Sequence, residues 1–376
     1  MLKTEKKVEY LELIYDLIFV YIIGRNNSLL HNIENGFVDG KVFLAYILCS
    51  LAIVQIWNFS TFYTNRYGRN GVRDHVFMFI NMYLLYYIGE GTRLHWESFQ
   101  NQYHMAWALI LINLGVQHVI EYRNHRADEE ESKAIRGMMI ALFGEAAIVL
   151  AAIPAYNLWG FPLAGAAILY GLAATWLFSH KSRMRRVDFT HLTERAMLYV
   201  VFTFGEMIIA IASYFEGSLT LNSIYFSTMS FLIVVGLFLC YEMLYDHIID
   251  REQESSGMNY MMIHLFLIFA MNIITTSLEF MRNEEVRLWP KILFLIGAFL
   301  LFFSCLFALL TYAKDEVKHN RYFLIGVGGL SGLFAVLMIL LREQMVWNIL
   351  ISVLYVAAQF AMIYWLRKKL KTVETA

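Results

Sequence analysis

Ionisable side chains stand inside an apolar stretch of this sequence, and their types indicate charge pairing or proton and ion transfer. The stretch HLTERAMLYVVFTFGEMIIAIAS, residues 191–213, contains His191, Glu194, Arg195 and Glu206. A charge at the centre of a bilayer costs at least ~2.5–3.5 kcal/mol, so such residues usually pair with one another or mark an ion, proton or substrate pathway. Without partners, these groups would disfavour a membrane helix here.

The spacing of the charges predicts which of them meet. Glu9, Glu12 and Asp16 are separated by three and four residues, so they share one face of a helix. Arg195 and Glu206 are eleven residues apart, which returns to within about 20° of the same helical face. We expect Arg195 to lie against Glu12 or Asp16, either as a charge partner or as a contact for an anionic substrate.

A further carboxylate, Glu145, lies in the segment LFGEAAIVL and has the same Phe-Gly-Glu context as Glu206. No basic residue is expected at the depth of either glutamate. Burial without a basic partner favours the neutral acid and allows proton exchange. The sequence therefore predicts Asp16, Glu206 and Glu145 as proton or cation sites on a transport path. Pairing of Glu206 with Arg25 stays open as an alternative.

The remaining candidates are expected towards the cytoplasmic side, and we call them the inner charged layer. Its members are Glu12, His191, Glu194, Arg195, Glu242, Asp246 and His264. They could belong to the transport path, or they could form a structural cluster that locks two halves of the protein together. Glu242 and Asp246 could equally be solvated, and His264 could be an ordinary buried histidine.

The composition is that of a membrane protein. Of 376 residues, 59% are hydrophobic and 16% are charged, whereas soluble domains have about 45–50% apolar and about 25% charged residues. The apolar blocks have roughly the 17–25 residues that cross a bilayer as a helix. We predict an all-α polytopic protein with about twelve transmembrane helices, at 8–23, 41–62, 74–90, 104–121, 134–153, 161–179, 189–213, 222–246, 259–279, 291–312, 321–341 and 345–366.

Charge distribution and internal spacing predict the topology. Lysine and arginine concentrate in alternate connecting segments, which places both termini in the cytoplasm by the positive-inside rule. Glu12 and Glu194 lie near the starts of spans 1 and 7, 182 residues apart, and later blocks keep nearly that offset. This spacing favours two parallel six-helix repeats. The predicted organisation is a first repeat at 1–180, a basic cytoplasmic linker at 181–188 and a second repeat at 189–376.

Several classes of function are not expected. The net charge of −1 gives no field that would attract nucleic acid, and the three cysteines have no paired spacing that would indicate a disulfide or metal framework. The sequence has no HExxH, GxSxG, phosphate-loop or CxxCH motif. We therefore expect no enzyme activity, no cofactor and no metal site.

The two charged stretches resemble the signatures of the bacterial low temperature requirement A (LtrA) membrane proteins. The first signature, roughly E-L-x-x-D-L-x-F-V, is matched by Glu12, Leu13, Asp16, Leu17, Phe19 and Val20. The second, H-x-x-E-R followed by a G-E pair, is matched by His191, Glu194, Arg195, Gly205 and Glu206. The resemblance implies a multi-pass bacterial plasma-membrane protein and implies no particular substrate. A weaker similarity, at the level of fold, is to the six-plus-six lysosomal potassium and proton channels.

The sequence favours a secondary transporter, with a polar path between helices 1 and 7 for a small solute or ion. Proton coupling and homo-oligomerisation are both compatible with this hypothesis. Two alternatives stay open: a cation or proton channel with the same pore-lining helices, and a non-transporting membrane scaffold whose buried ion pairs are structural. The expected partners are the lipid bilayer and the transported species.

Overall fold

In the computed structural model, the described residues are 6–91, 96–159, 163–181, 187–212, 220–281, 283–318 and 321–374. They form twelve α-helices, short 3₁₀ turns and one two-stranded hairpin. The helices are α1 Tyr10–Asn26, α2 Gly40–Tyr67, α3 Val72–Gly91, α4 Trp96–Asn124, α5 Glu129–Trp159, α6 Ala164–Lys181, α7 Phe189–Ile211, α8 Leu221–His247, α9 Met258–Phe280, α10 Leu288–Ala308, α11 Arg321–Leu340 and α12 Met345–Glu374. The hairpin pairs β1 (Ile33–Glu34) with β2 (Phe37–Val38).

Eight of the described helices are long and apolar enough to cross a membrane, judged by length and composition. They are α2, α4, α5, α8, α9, α10, α11 and α12. The other four are shorter or more polar: α1 has only 17 residues and carries Glu12, Asp16 and Arg25, and α7 carries Glu194, Arg195 and Glu206. The structure supports an all-α polytopic membrane protein, while the layout of twelve spans in two repeats stays a prediction.

The chain divides into two compact units. The first consists of Met1–Asn32, Val38–Arg195 and Ser255–Gly257, and the second of Ile33–Phe37, Ala196–Glu254 and Met258–Ala376. Most of the predicted linker at 181–188, namely residues 182–186, lies outside the described residues. The organisation as two sequence repeats therefore stays a prediction.

Helix α2 is the central helix of the first unit. It packs against α1, α4 and α6, while α1 and α4 also pack against α3, and α5 packs against α4 and α6. Every residue from 52 to 65 is buried, so the helix is covered around its whole circumference. Its polar side chains in this stretch must find partners within the protein, because a buried polar group without one is costly.

The second unit is built from the remainder of α7 and from α8–α12. Helix α8 packs against α12, α9 against α10, and α11 against α12. The hairpin turn has positive φ at Asn35 (53°) and Gly36 (86°), as a two-residue Asn-Gly turn requires. The Gly36 carbonyl accepts a hydrogen bond from the backbone N–H of Arg287 at 2.6 Å.

Candidate functional site

Glu12, Asp16, His191 and Arg195 form a buried ion cluster in the first unit. Arg195 is fully buried; its Nε donates to Asp16 Oδ2 at 3.3 Å, and its Nη2 donates to Asp16 Oδ1. This two-pronged pairing is the strongest geometry for a guanidinium and a carboxylate. Nε also lies 3.8 Å from Glu12 Oε2. The prediction that Arg195 lies against Glu12 or Asp16 is confirmed, and Asp16 is the closer partner.

Helix α2 provides the remaining hydrogen bonds of the Asp16–Arg195 pair. Trp57 donates from Nε1 to Asp16 Oδ1 at 2.7 Å, and Thr64 accepts from Arg195 Nη1 at 2.7 Å. These two residues are seven apart, or about two turns, so they occupy the same face of α2. Sequence reasoning missed both. The signal that could have found them is this spacing of a tryptophan and a threonine within an apolar span.

The protonation state of His191 follows from its neighbours. Asn65 Nδ2 donates to the Asp188 carbonyl at 2.8 Å, and Asn65 Oδ1 accepts from the Asp188 N–H at 3.0 Å. These two bonds fix the orientation of the amide. Asn65 Nδ2 is also 3.0 Å from His191 Nδ1, so Nδ1 is an acceptor. The ring hydrogen is then on Nε2, which donates to Glu12 Oε2 at 3.0 Å. The charges of the cluster are therefore two carboxylates and one guanidinium.

A cavity of about 480 Å³ lies beside the ion cluster, and we call it the vestibule. Its polar lining includes Lys6, Glu9, Glu12, Thr64, Arg69 and Asp74. Glu12 and Thr64 contact Arg195 as well, whereas Arg195 is not part of the lining. A solute in the vestibule would thus meet the acidic side of the cluster.

A second buried carboxylate, Glu145 on α5, lies in the interior of the same unit. Its side chain is fully buried, and its Oε2 accepts a hydrogen bond from Gln55 Nε2 at 3.1 Å. Among the described residues, no basic side chain forms an ion pair with it. We call these two residues the Glu145–Gln55 pair.

The surroundings of the Glu145–Gln55 pair are tightly packed yet incompletely hydrogen-bonded. A Cβ atom added to Gly171 on α6 would come within 1.9 Å of Glu145 Oε2 and 2.1 Å of Gln55 Nε2. Glu145 Oε1 and Gln55 Oε1 accept no well-formed hydrogen bond among the described residues, and the indole N–H of Trp107 lies near Glu145 without closing one. The pair can hold a proton on the carboxyl, because a neutral acid has a donor for the Gln55 amide oxygen.

Of the other predicted site residues, one belongs to the first unit and four belong to the second. Glu194 is half-buried on α7. Glu206, Glu242, Asp246 and His264 all belong to the second unit. Glu206 is half-buried and makes no hydrogen bond or ion pair in the described part of that unit. Arg25, the alternative partner considered for it, lies 3.9 Å from Glu90.

The second-unit members of the inner charged layer have different environments. Glu242 and Asp246 are exposed. His264 is fully buried, with Nδ1 2.9 Å from the Tyr260 carbonyl and Nε2 3.0 Å from the Tyr241 hydroxyl. Because a carbonyl only accepts, Nδ1 carries a hydrogen, and Nε2 is bonded to the Tyr241 hydroxyl. His264 is thus a fully hydrogen-bonded core histidine.

Two further ion pairs in the first unit were missed by sequence reasoning. Arg66 lies 2.8 Å from Glu131, and Arg73 lies 2.6 Å from the fully buried Glu121. They join the end of α2 to the start of α5, and the start of α3 to the end of α4. Each pair joins an arginine at one helix end to a glutamate at the end of another helix. The presence of such charged residues at the predicted helix ends could have indicated the pairs. Within the described ranges, no three His, Cys, Asp or Glu side chains are grouped as metal ligands.

Comparison with known proteins identifies the family of the chain but no individual relative. No curated protein matches the chain, and no solved structure matches it. The family model described as bacterial low temperature requirement A protein (LtrA) matches residues 7–362, a range that contains both signature stretches. The apolar helices agree with a multi-pass membrane protein. The chain therefore belongs to the bacterial low temperature requirement A family.

Proposed function

We propose that this LtrA-family protein is a proton-coupled secondary transporter of the bacterial plasma membrane. In this proposal the vestibule admits a small solute to the acidic side of the ion cluster. Glu145 is the principal proton site and Glu206 a second one, while Asp16 is a permanent anion held by Arg195. All twelve helices span the membrane as two parallel repeats, with both termini and the vestibule on the cytoplasmic side.

The observation that carries the proposal is the Glu145–Gln55 pair. Helix α5 is among the helices able to cross a membrane, and a buried carboxylate charge without a cation is strongly disfavoured there. A leucine or a glutamine would avoid this cost. The presence of a carboxyl group at position 145 is explained if the group binds a proton for most of the time and releases it during a transport cycle.

The ion cluster provides the main argument for an alternative. The Asp16–Arg195 pair is fully buried and hydrogen-bonded on all sides that the structure describes, as a purely structural lock would be. This supports a non-transporting scaffold if Glu145 proves to be inert. A proton channel would use the same residues but conduct without saturation.

Proton flux in proteoliposomes tests the proposal. A potassium diffusion potential would be imposed and the internal pH followed, with and without a low-molecular-weight bacterial extract as a source of solutes. We expect proton entry in the wild type, at least a tenfold loss in Glu145→Gln, a smaller loss in Glu206→Gln, and no change in the exposed control Glu242→Gln. Equal flux in the wild type and Glu145→Gln, or no flux with the extract present, would overturn the proposal.

A further inference from the structure

The side chain of Lys6 shows what kind of group the vestibule accepts. Its Nζ donates to the backbone carbonyls of Thr64 and Gly68, the latter at 3.1 Å. These carbonyls belong to the C-terminal end of α2, where the helix dipole carries partial negative charge. An ammonium group is therefore held by main-chain oxygens at the wall of the cavity.

The charge balance of the site also favours a cation. Glu12 and Asp16 face a single guanidinium, and His191 is neutral, so the cluster has an excess negative charge. Lys6 interacts electrostatically with Glu12 and Asp74 and supplies the balancing charge. Arg195 is bonded to Asp16 and Thr64 and does not line the vestibule. A contact between Arg195 and an anionic substrate, one of the two roles considered from the sequence, is therefore disfavoured.

Lys6 is not itself part of a helix, and its side chain contacts only the C-terminal end of α2 among the described helix ends. It precedes α1, in a segment without regular structure, and it is only partly buried. Burial lowers the pKa of Lys6 below its ordinary value, and the carboxylate of Glu12 opposes that shift. The segment is tied by one backbone hydrogen bond, from the Lys6 N–H to Asp188 Oδ2 at 3.3 Å. Exchange of the Lys6 ammonium for another ammonium would keep the charge balance of the cluster.

We propose that the vestibule is a binding site for a small organic ammonium ion and that Lys6 occupies it as a tethered competitor. The carbonyls of Thr64 and Gly68 would accept from the ligand, and Glu12 would balance its charge. As the substrate class of the transporter, this inference rests on the proposed function; as a binding site, it stands independently of transport.

Binding of n-butylammonium, which has the same end group as a lysine side chain, tests the inference. The probe would be titrated into detergent-purified full-length protein, with thermal shift and calorimetry as readouts. Lys6→Met removes the competitor, and Lys41→Met is the control, because Lys41 is an exposed lysine of the same unit that does not line the vestibule. We expect Lys6→Met to bind the probe at least tenfold more tightly than the wild type and Lys41→Met to bind as the wild type does.

Two results would overturn the inference. One is an equal affinity of Lys6→Met and Lys41→Met for n-butylammonium, and the other is equal stabilisation of Lys6→Met by acetate. Because Lys6 bonds the end of α2, melting curves without the probe first establish that both variants are folded. Binding without any solute-dependent flux would refute the transporter and leave the ammonium site intact, which keeps the two proposals separable.

Discussion

Asp16 and Glu145 are both fully buried carboxylates of the first unit, yet their partners differ. Asp16 receives two hydrogen bonds from Arg195 and one from Trp57. Glu145 receives one from the neutral amide of Gln55 and has the neutral indole of Trp107 nearby. The first carboxylate has a full charge partner and the second has none, so the first is suited to remain ionised and the second to carry a proton.

The same helix serves both carboxylates. Gln55 and Trp57 are two residues apart on α2, about 200° around its axis, and so they point to nearly opposite sides. One side of α2 therefore supports the charged cluster and the other supports the neutral pair. Burial alone does not separate a structural carboxylate from a proton site; the partners that adjacent helices present do.

Removing the cation from the ion cluster should have the largest effect on the stability of the protein. Arg195→Gln leaves the buried Asp16 without its guanidinium and Glu12 with Lys6 alone, and we expect a loss of about 3–5 kcal/mol of stability. Thermal unfolding of the purified protein in detergent measures it. Arg25→Gln is the control, since its pair with Glu90 is partly exposed and should be worth less than about 1 kcal/mol. Equal destabilisation by both changes would show that the cluster is not a lock.

Removing one of the hydrogen-bond donors that contact Asp16 should have an intermediate effect on stability. Trp57→Phe keeps an aromatic ring but deletes the Nε1–H bond to the carboxylate, a type of bond worth about 1.5–3 kcal/mol. Trp107→Phe is matched in size and burial, and Trp107 lies near Glu145 instead of donating to the ion cluster. The difference in melting temperature between the two variants isolates the hydrogen bond. No difference would mean that Trp57 does not support the charge on Asp16.

Crowding the Glu145–Gln55 pair should cost somewhat less. In Gly171→Ala the new methyl group would overlap Glu145 Oε2 and Gln55 Nε2, and overpacking of this kind costs about 1–3 kcal/mol. Proton flux should fall as well, because the pair is pushed apart. Gly165→Ala lies on the same helix and would meet Leu48 only at an ordinary 3.8 Å, so it should be neutral or slightly stabilising. Tolerance of both substitutions would argue against a tightly packed proton site.

Neutralising each carboxylate in its own variant should distinguish the roles of Asp16 and Glu145 most clearly. Glu145→Gln keeps the side-chain shape and removes an acid that has no basic partner among the described residues. We therefore expect its free energy of unfolding to stay within about 1 kcal/mol of the wild-type value. Asp16→Asn leaves a buried guanidinium without its closest counter-charge and should cost several times more. Melting curves of both variants, collected in the same detergent, make the comparison. Similar losses would contradict the distinction between a structural carboxylate and a proton site.

Local sequence determined much of this protein. Long apolar blocks with few prolines specify helices, and the ionisable residues inside them had to meet partners, because unpaired charges are costly away from water. This reasoning was sufficient to pair Arg195 with Asp16 or Glu12, and the two signature stretches were sufficient for the family.

Only the tertiary structure decided which groups complete each site. Gln55 meets Glu145 across 90 residues, and Asn65 meets His191 across 126; such pairs depend on how each helix is rotated about its axis, which a run of apolar residues does not specify. Glu145 and Glu206 share the same Phe-Gly-Glu context, yet one is fully buried and the other is half-exposed. Identical local sequence was given different environments by packing, because burial is set by the neighbouring helices and not by the adjacent residues.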